Sequence, residues 1–416
     1  MGQEADGVVP IGHEHLGRTT MDLGTNDPVS PPRRPPIRTL TFGIADVHPI
    51  APEVFDQTAQ LAKRMEQSCQ DAGYEVQTLR LSTRPIFEDL TGDIVAYARA
   101  LSTLLTDLGL PLCSVGPAPA ADPRFPLERL DVLGDMLIEA NVLTSGVQLA
   151  TAEHGIRVDA ALPAARIMRR LAMETKEGLG NFRFAALACV EPGGPFFPAS
   201  YHTGPAAVTI GLQGAGIVAE ALADVRAVDP PSITRHVRAA LIEHATPIVG
   251  LAQRLAGELG VRFGGIDLSP APAGDDSIAA AVEQCGHGPI GSPGSLSIAA
   301  ALTEALRTTG LPTTGYTGLM LPVCEDKVLA DRWADGHLSV HQLLCLSAVC
   351  GTGLDTVPLP GDTSPEQIAH ILLDVASLAY RLRKPLSARL FPVPGARPGD
   401  RTSFSSPYLV NTTVRP

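Results

Sequence analysis

The chain has 416 residues, a formal net charge of −12 at pH 7, 44% apolar residues and only 4% aromatic residues. This length suits one large α/β domain or two ordinary ones, and the acidic balance argues against nucleic acid or an anionic membrane as partner. No apolar stretch approaches the roughly 20 residues that span a bilayer, and the N-terminus lacks an apolar signal core. The seven scattered cysteines include no C-x-x-C pair. We therefore expect a cytoplasmic protein with reduced thiols.

The chain begins with a segment, 1–36, that is rich in proline, glycine and charge and shows little periodicity. We predict that it is a disordered tail in front of a single domain, 37–416. Short β-branched or apolar runs predict strands at 37–44, 74–81, 111–115, 142–149, 182–190, 206–212, 261–268, 315–322 and 386–393. Apolar residues at helical spacing predict helices at 52–72, 127–140, 160–171, 232–259, 277–285, 296–308, 325–333 and 339–349.

The last helix has the clearest start. Thr363 and Ser364 supply an N-cap, Pro365 occupies the first turn, and Glu366 is predicted to act as the reciprocal acid. About ten strands that alternate with helices predict an α/β domain with a mostly parallel sheet and helices outside. Because ten strands make a wide open sheet, we predict that the sheet closes into a barrel.

Acidic side chains follow several predicted strands, where α/β folds usually bind their ligands. Asp267 lies within an apolar strand, so it must be paired, cap a neighbouring loop or hold a cation. Glu325 and Asp326 either favour a helix dipole or bind a hard divalent ion. Asp355 lies among apolar, strand-like residues. If the four converge, they form a Ca²⁺ or Mg²⁺ site, because no pair of histidines accompanies them.

Three residues are candidates for the chemical step. His202 follows a strand among Pro, Gly and aromatic residues, so it is either a general base or a hydrogen-bonded structural histidine. Tyr201 precedes it and could assist. Cys350 lies at the entry to a glycine-rich turn, where a thiol is either a nucleophile, a radical relay or simply a buried side chain.

Four further residues are predicted to bind the substrate. Lys384 and Arg389 flank the last strand and could bind a carboxylate or phosphate, with surface pairing as the alternative. Ser269 and Thr352 lie in the loops beside Asp267 and Cys350. The sequence contains no phosphate-loop or dinucleotide fingerprint, so no nucleotide cofactor is expected.

Six segments together resemble family 711 of the domains of unknown function, which is related to uncharacterised UPF-type bacterial proteins. These segments lie at 197–202, 267–272, 321–326, 349–355, 360–363 and 387–395. The family is similar in fold to glycyl radical enzymes such as pyruvate formate-lyase, which implies a ten-stranded α/β barrel with a loop inside. The resemblance would place Cys350 on that loop. Residues 387–395 lack the glycine motif of the radical enzymes, so the expected chemistry is non-radical.

These features lead to one hypothesis and two alternatives. The leading hypothesis is a lyase or isomerase whose divalent cation polarises a small carbonyl or carboxylate substrate. His202 would move a proton, as in aldol-type C–C bond formation or cleavage. The alternatives are a sensor that binds a small metabolite without turnover and an acyl transferase based on Cys350. The Ala- and Leu-rich composition favours a homodimer.

Overall fold

The computed structural model describes residues 34–223 and 229–416, and residues 34–416 form one compact unit. Almost all of the predicted tail, 1–36, lies outside the described residues. The strands of the described chain are β1 (Ile37–Gly43), β2 (Leu79–Ser82), β3 (Cys113–Ala118), β4 (Leu143–Thr151), β5 (Gly155–Ile156), β6 (Phe184–Ala188), β7 (Ala207–Leu212), β8 (Arg262–Asp267), β9 (Gly353–Leu359) and β10 (Leu386–Pro392).

The helices separate most of these strands, as the sequence predicted. In chain order they are α1 (Pro52–Asp71), α2 (Ile86–Asp89), α3 (Ile94–Asp107), α4 (Leu130–Glu139), α5 (Ala161–Glu174), α6 (Ala215–Ala223), α7 (Pro230–Leu259), α8 (Ile278–Gln284), α9 (Ser295–Arg307), α10 (Lys327–Ala334), α11 (Val340–Ser347) and α12 (Pro365–Leu382). None of the described helices has the combination of length and apolarity that a membrane crossing requires.

The strands form one ten-stranded sheet in the order β8-β7-β1-β2-β3-β4-β6-β10-β9, with β5 beside β4. Strands β1, β2, β3, β4 and β6 run parallel to one another. Strands β7 and β8 run the opposite way on one side, and β10 and β9 do so on the other. The mixed α/β sheet and its mostly parallel pairing confirm the predicted fold class.

The two edge strands, β8 and β9, are linked to residues 313–322 by single bridges. Ile266 bridges to Thr313, and Pro322 bridges to Asp355. No continuous ladder joins the edges within the described residues. The predicted strand at 315–322 was wrong, because the N–H groups of Tyr316 and Thr317 donate to the carboxylate of Asp267 instead of to a strand.

Strands β3, β6 and β10 are buried along their whole length, which requires cover on both faces of the sheet. Helices pack against the sheet, for example α12 against β6 and β10. The loop between β6 and β7 also contacts the sheet, because its Ser200 carbonyl accepts a hydrogen bond from Ser114 at 2.5 Å. The N–H of His202 in the same loop donates to the carbonyl of Thr83 at 2.9 Å.

Helix α12 begins where the sequence predicted, but one residue of its cap was assigned wrongly. Ser364 is the N-cap, and Pro365 is the first helical residue. The reciprocal partner is Gln367, whose Oε1 accepts from the N–H of Ser364 at 2.9 Å, and not Glu366. The position three residues after the cap faces the cap, so the residue type at that position decides the pairing.

Candidate functional site

A cavity of about 80 Å³ lies between the first residues of β1, β2 and β4 and the middle of β9 and β10. We name it the arginine cavity because Arg38, Arg80 and Arg389 contribute to its wall. On the same measure one water molecule requires about 10–15 Å³. The arginine cavity can therefore hold a ligand of several non-hydrogen atoms.

Arg389 lies between two carboxylates in this wall. Its Nε donates to Asp355 Oδ1 at 2.6 Å, and its Nη2 donates to Glu325. Burial opposes the charge on Arg389, but the two carboxylates raise its pKa above the ordinary value. Burial raises the pKa of Glu325. The positive charges of Arg389 and of Arg38, which lies 3.6 Å from Glu325, oppose that rise. The cation between Glu325 and Asp355 is therefore the guanidinium of Arg389.

Arg80 has different surroundings. Within residues 34–223 and 229–416 no carboxylate lies within 4.0 Å of its guanidinium, which donates to Thr78 Oγ1 at 3.1 Å. The guanidinium lies over the ring of Phe197, 5.1 Å from the centroid, where the ring quadrupole attracts a cation. Burial, followed by repulsion from Arg38, lowers its pKa to about 9. Within the described residues no carboxylate is in direct contact with Arg80, and the more distant Glu325 offsets its charge only in part.

The cavity as a whole is cationic. Its lining contains four arginines and two carboxylates, so positive charges exceed negative ones by two. The fourth arginine, Arg183, donates to the main-chain carbonyls of Leu137, Ala140 and Leu143. Those bonds engage three of its five N–H donors, and in the described residues no carboxylate lies within 4.0 Å of its guanidinium. Such a surplus of positive charge attracts an anion into the cavity.

Asp267 lies at the end of β8 and is fully buried. Its carboxylate accepts main-chain hydrogen bonds from Ser269 (2.9 Å), Tyr316 (2.8 Å) and Thr317 (3.0 Å). A side chain at Gly315, where φ is +65°, would collide with this carboxylate. Burial raises the pKa of Asp267, and the amide donors oppose that rise. Of the alternatives open from the sequence, Asp267 has the loop-capping role, and it positions Tyr316 in the cavity wall.

Asp326 caps two helices. It accepts from the N–H groups of Val328 and Leu329 at the start of α10, and from Ile278 at the start of α8. The hydroxyl of Ser277 also donates to it at 2.6 Å. Anionic side chains are favourable at helix N-termini, so this is the helix-dipole alternative.

The four carboxylates predicted to bind a metal therefore lie in three environments. Only Glu325 and Asp355 share a wall, and Arg389 is hydrogen-bonded to both of them. In the described part of the chain, no three His, Cys, Asp or Glu side chains are arranged to hold a metal ion. The residues present do not fit the predicted four-carboxylate site.

Neither His202 nor Tyr201 is among the residues that line the arginine cavity. His202 is buried, and its Nε2 donates to the carbonyl of Pro205 at 2.9 Å. Burial lowers its pKa, which favours the neutral ring. The hydroxyl of Tyr201 donates to the carbonyl of Val190 at 2.9 Å. These contacts match the structural alternative for His202.

Cys350 and Lys384 contact each other and are not among the residues that line the arginine cavity. Lys384 Nζ donates to the carbonyls of Ala348 and Cys350, just beyond α11, where a cation is favourable. Burial lowers the pKa of Lys384 to about 8. Burial also raises the pKa of the Cys350 thiol to about 12, so the thiol is protonated at neutral pH and poorly nucleophilic.

The remaining two predicted ligand residues differ from each other. Ser269 is buried beside Asp267, and its Oγ accepts from the N–H of Gly318 at 3.1 Å. Thr352 lines the arginine cavity. The cavity thus brings together four of the predicted residues, Glu325, Thr352, Asp355 and Arg389.

Sequence reasoning missed Arg38 and Arg80. Both lie in short apolar strand patterns, Ile-Arg-Thr-Leu at 37–40 and Leu-Arg-Leu at 79–81. A charge inside a buried strand is costly unless it is compensated, and this signal had selected Asp267. The same argument applied to cations identifies both arginines.

Comparison with known proteins identifies the family. The family model described as "Uncharacterised ACR (DUF711)" matches residues 33–405. A UPF0210 protein of Pyrobaculum arsenaticum is 33% identical over 397 residues, with 88% of this chain and 86% of the relative covered. A UPF0210 protein of Oenococcus oeni is 27% identical over 399 residues, with 88% of both chains covered. The family resemblance noted in the sequence is confirmed, and the chain belongs to the uncharacterised DUF711 family.

Proposed function

We propose that the protein is an enzyme that binds a small organic anion, a carboxylate or phosphate, in the arginine cavity. The observation that carries this proposal is Arg80, a cation in the cavity wall with no carboxylate partner in the described residues. A half-buried charge that no opposite charge contacts is disfavoured, and an anionic ligand would supply that contact. Arg38 would assist, since its contact with Glu325 leaves part of its guanidinium unengaged.

Glu325 is the residue we propose for proton transfer. It lies in the cavity wall, and burial raises its pKa towards the range in which a carboxylate is an effective base. It would remove a proton from the carbon beside the carboxylate or carbonyl of the ligand, and Arg80 would stabilise the negative charge that develops. Proton abstraction of this kind begins both isomerisation and aldol-type C–C bond formation. In the cleavage direction Glu325 would return the proton to that carbon in the last step, after the C–C bond has broken.

The experiment compares Arg80→Gln with Arg124→Gln, an exposed arginine paired with Asp122 and remote from the cavity. Pyruvate, lactate and inorganic phosphate are titrated by calorimetry. Because a charged hydrogen bond contributes about 1.5–3 kcal/mol, Arg80→Gln should weaken anion binding about 10- to 100-fold, and the control should not. Equal affinity in both variants and the wild type would contradict the proposal.

Catalysis is measured separately, as exchange of the bound anion's C–H hydrogen in D₂O. The wild type should exchange, and Glu325→Gln should not. A non-catalytic sensor is the second candidate, because Glu325 contacts two arginines, and such contacts weaken a carboxylate as a base. Binding that depends on Arg80 without any exchange in the wild type would support the sensor.

We also propose that the sheet closes into the ten-stranded barrel expected from the likeness to glycyl radical enzymes. The bridges from Ile266 to Thr313 and from Pro322 to Asp355 support it, since they attach residues 313–322 to both edge strands. The homodimer and the cytoplasmic location stay predictions from composition.

A further inference from the structure

Two threonine hydroxyls in the wall of the arginine cavity have no hydrogen-bond partner in the part of the chain that the structure describes. Thr144 lies at the start of β4, and Thr352 directly precedes β9. Both residues line the cavity, and they are only 2% and 4% exposed. For neither Oγ1 is a partner found. A buried polar group left unsatisfied destabilises the fold, so native proteins rarely keep one without a reason.

The neighbouring hydroxyls do not share this property. Tyr316 Oη donates to Ser387 Oγ at 2.9 Å, and Ser387 Oγ donates to the carbonyl of Thr352 at 3.1 Å. Both residues also line the cavity. The cavity therefore has polar groups that are satisfied internally and two that are not. The two that are not are hydroxyls, which donate as well as accept.

The sheet places these hydroxyls on different sides of the cavity. Strand β3 separates Thr144 on β4 from Arg80 on β2, and β6 and β10 lie between β4 and β9. Neighbouring strands are about 4.8 Å apart, so a few strand spacings separate the groups. The backbones of β4 and β9 are thus three spacings, about 14 Å along the sheet, apart, so Thr144 and Thr352 would approach a bound molecule from different directions.

We infer that the ligand of the arginine cavity carries a second oxygen function, a hydroxyl or carbonyl, in addition to its anionic group. Thr144 and Thr352 donate hydrogen bonds to this oxygen and to the anion. The inference rests on the proposed anion site and narrows its ligand to small hydroxy or oxo acids. A site with buried hydroxyls rejects an analogue that lacks the partner oxygen, because the hydroxyls then stay unpaired.

The test uses the full chain and three probes of similar size: propionate, lactate and pyruvate. The wild type should bind lactate or pyruvate at least about tenfold more tightly than propionate. Thr144→Val and Thr352→Val should each reduce that ratio towards one with little change in propionate affinity. Thr144→Ser, which keeps the hydroxyl, should retain the ratio. Thr58→Val, on the outer helix α1, is the matched control.

The possible results test the second-oxygen inference and the anion site separately. Equal affinity of the wild type for all three probes, lost in Arg80→Gln, would overturn the second-oxygen inference and leave the anion site standing. Discrimination that survives in both Thr→Val variants would also overturn it. Failure of all three probes and of inorganic phosphate to bind would overturn the anion site itself. Thermal unfolding of each variant checks that the fold is intact.

Discussion

Two buried carboxylate regions of this protein are compensated in different ways. The carboxylate of Asp267 is surrounded by main-chain N–H groups from two loops. Glu325 and Asp355 are instead compensated by the side chain of Arg389, in the wall of a cavity. Fixed backbone dipoles leave nothing for a ligand to complete. Side-chain cations beside a cavity leave room for a ligand, because no carboxylate contacts Arg80 in the described structure.

The comparison shows that a buried acid is not by itself evidence of a functional site. Asp267 and Glu325 are both buried acids near predicted loops, and the sequence treats them alike. What distinguishes them is whether the local charges balance. We therefore expect substitutions around Asp267 to change stability and substitutions around Arg80 to change binding.

The largest effect should follow from Arg389→Met. The substitution removes the only guanidinium that contacts both Glu325 and Asp355 in the described residues and leaves Arg38, 3.6 Å from Glu325, as the remaining cation. Breaking a buried ion pair costs about 3–5 kcal/mol. Urea denaturation should show a loss of that size. Adding Glu325→Gln and Asp355→Asn to the same chain should recover most of it, because the uncompensated charges are then absent. A loss below about 1 kcal/mol for Arg389→Met would show that solvent already screens this region.

A smaller effect is expected for Asp267→Asn. The new amide group retains one acceptor oxygen but turns an NH₂ towards main-chain donors, which should cost about 1–3 kcal/mol of unfolding free energy. Anion affinity should fall much less than in Arg80→Gln, since Asp267 reaches the cavity only through Tyr316. If binding were lost and stability retained, the division between the two regions would be wrong.

The smallest expected effect is a loss of folding stability at acidic pH, caused by protonation of His202. Burial lowers the pKa of His202 below about 6.5, its unfolded value, so the unfolded state binds the proton first. Stability is complete above about pH 6.5 and falls as the pH drops towards the folded pKa, by at most about 1.4 kcal/mol per pH unit. His202→Gln should reduce this slope, and His236→Gln, at an exposed site on α7, should not. Identical slopes in the two variants would contradict the assignment.

The sequence predicted elements whose signals are local. Helix α12 has a cap, a proline and an apolar stripe in adjacent residues, and its start was predicted correctly. Residues 315–322 have the composition of a strand, but their N–H groups bond to a carboxylate about 50 positions away. No local pattern contains that partner. The error therefore reflects a tertiary contact that competes with strand pairing.

The candidate site was predicted only in part, because its contacts also join residues that are distant along the chain. The sequence predicted that Glu325 and Asp355 would meet, but as ligands of a divalent ion together with Asp267 and Asp326. That the cation is Arg389 depended on the register of β10 beside β9, which places the two side chains together. Register is set by the whole sheet and cannot be obtained from spacing along the chain.

The reversal of strand direction at the β1–β7 and β6–β10 pairs has a consequence for any search for ligands in this family. In a sheet with all strands parallel, one rim collects every carboxyl end, and attention goes there first. Here each rim is the carboxyl end for one group of strands and the amino end for the other. Strand direction alone therefore does not favour either rim as the ligand site. The arginine cavity is selected instead by Arg80, whose guanidinium no carboxylate contacts in the described residues.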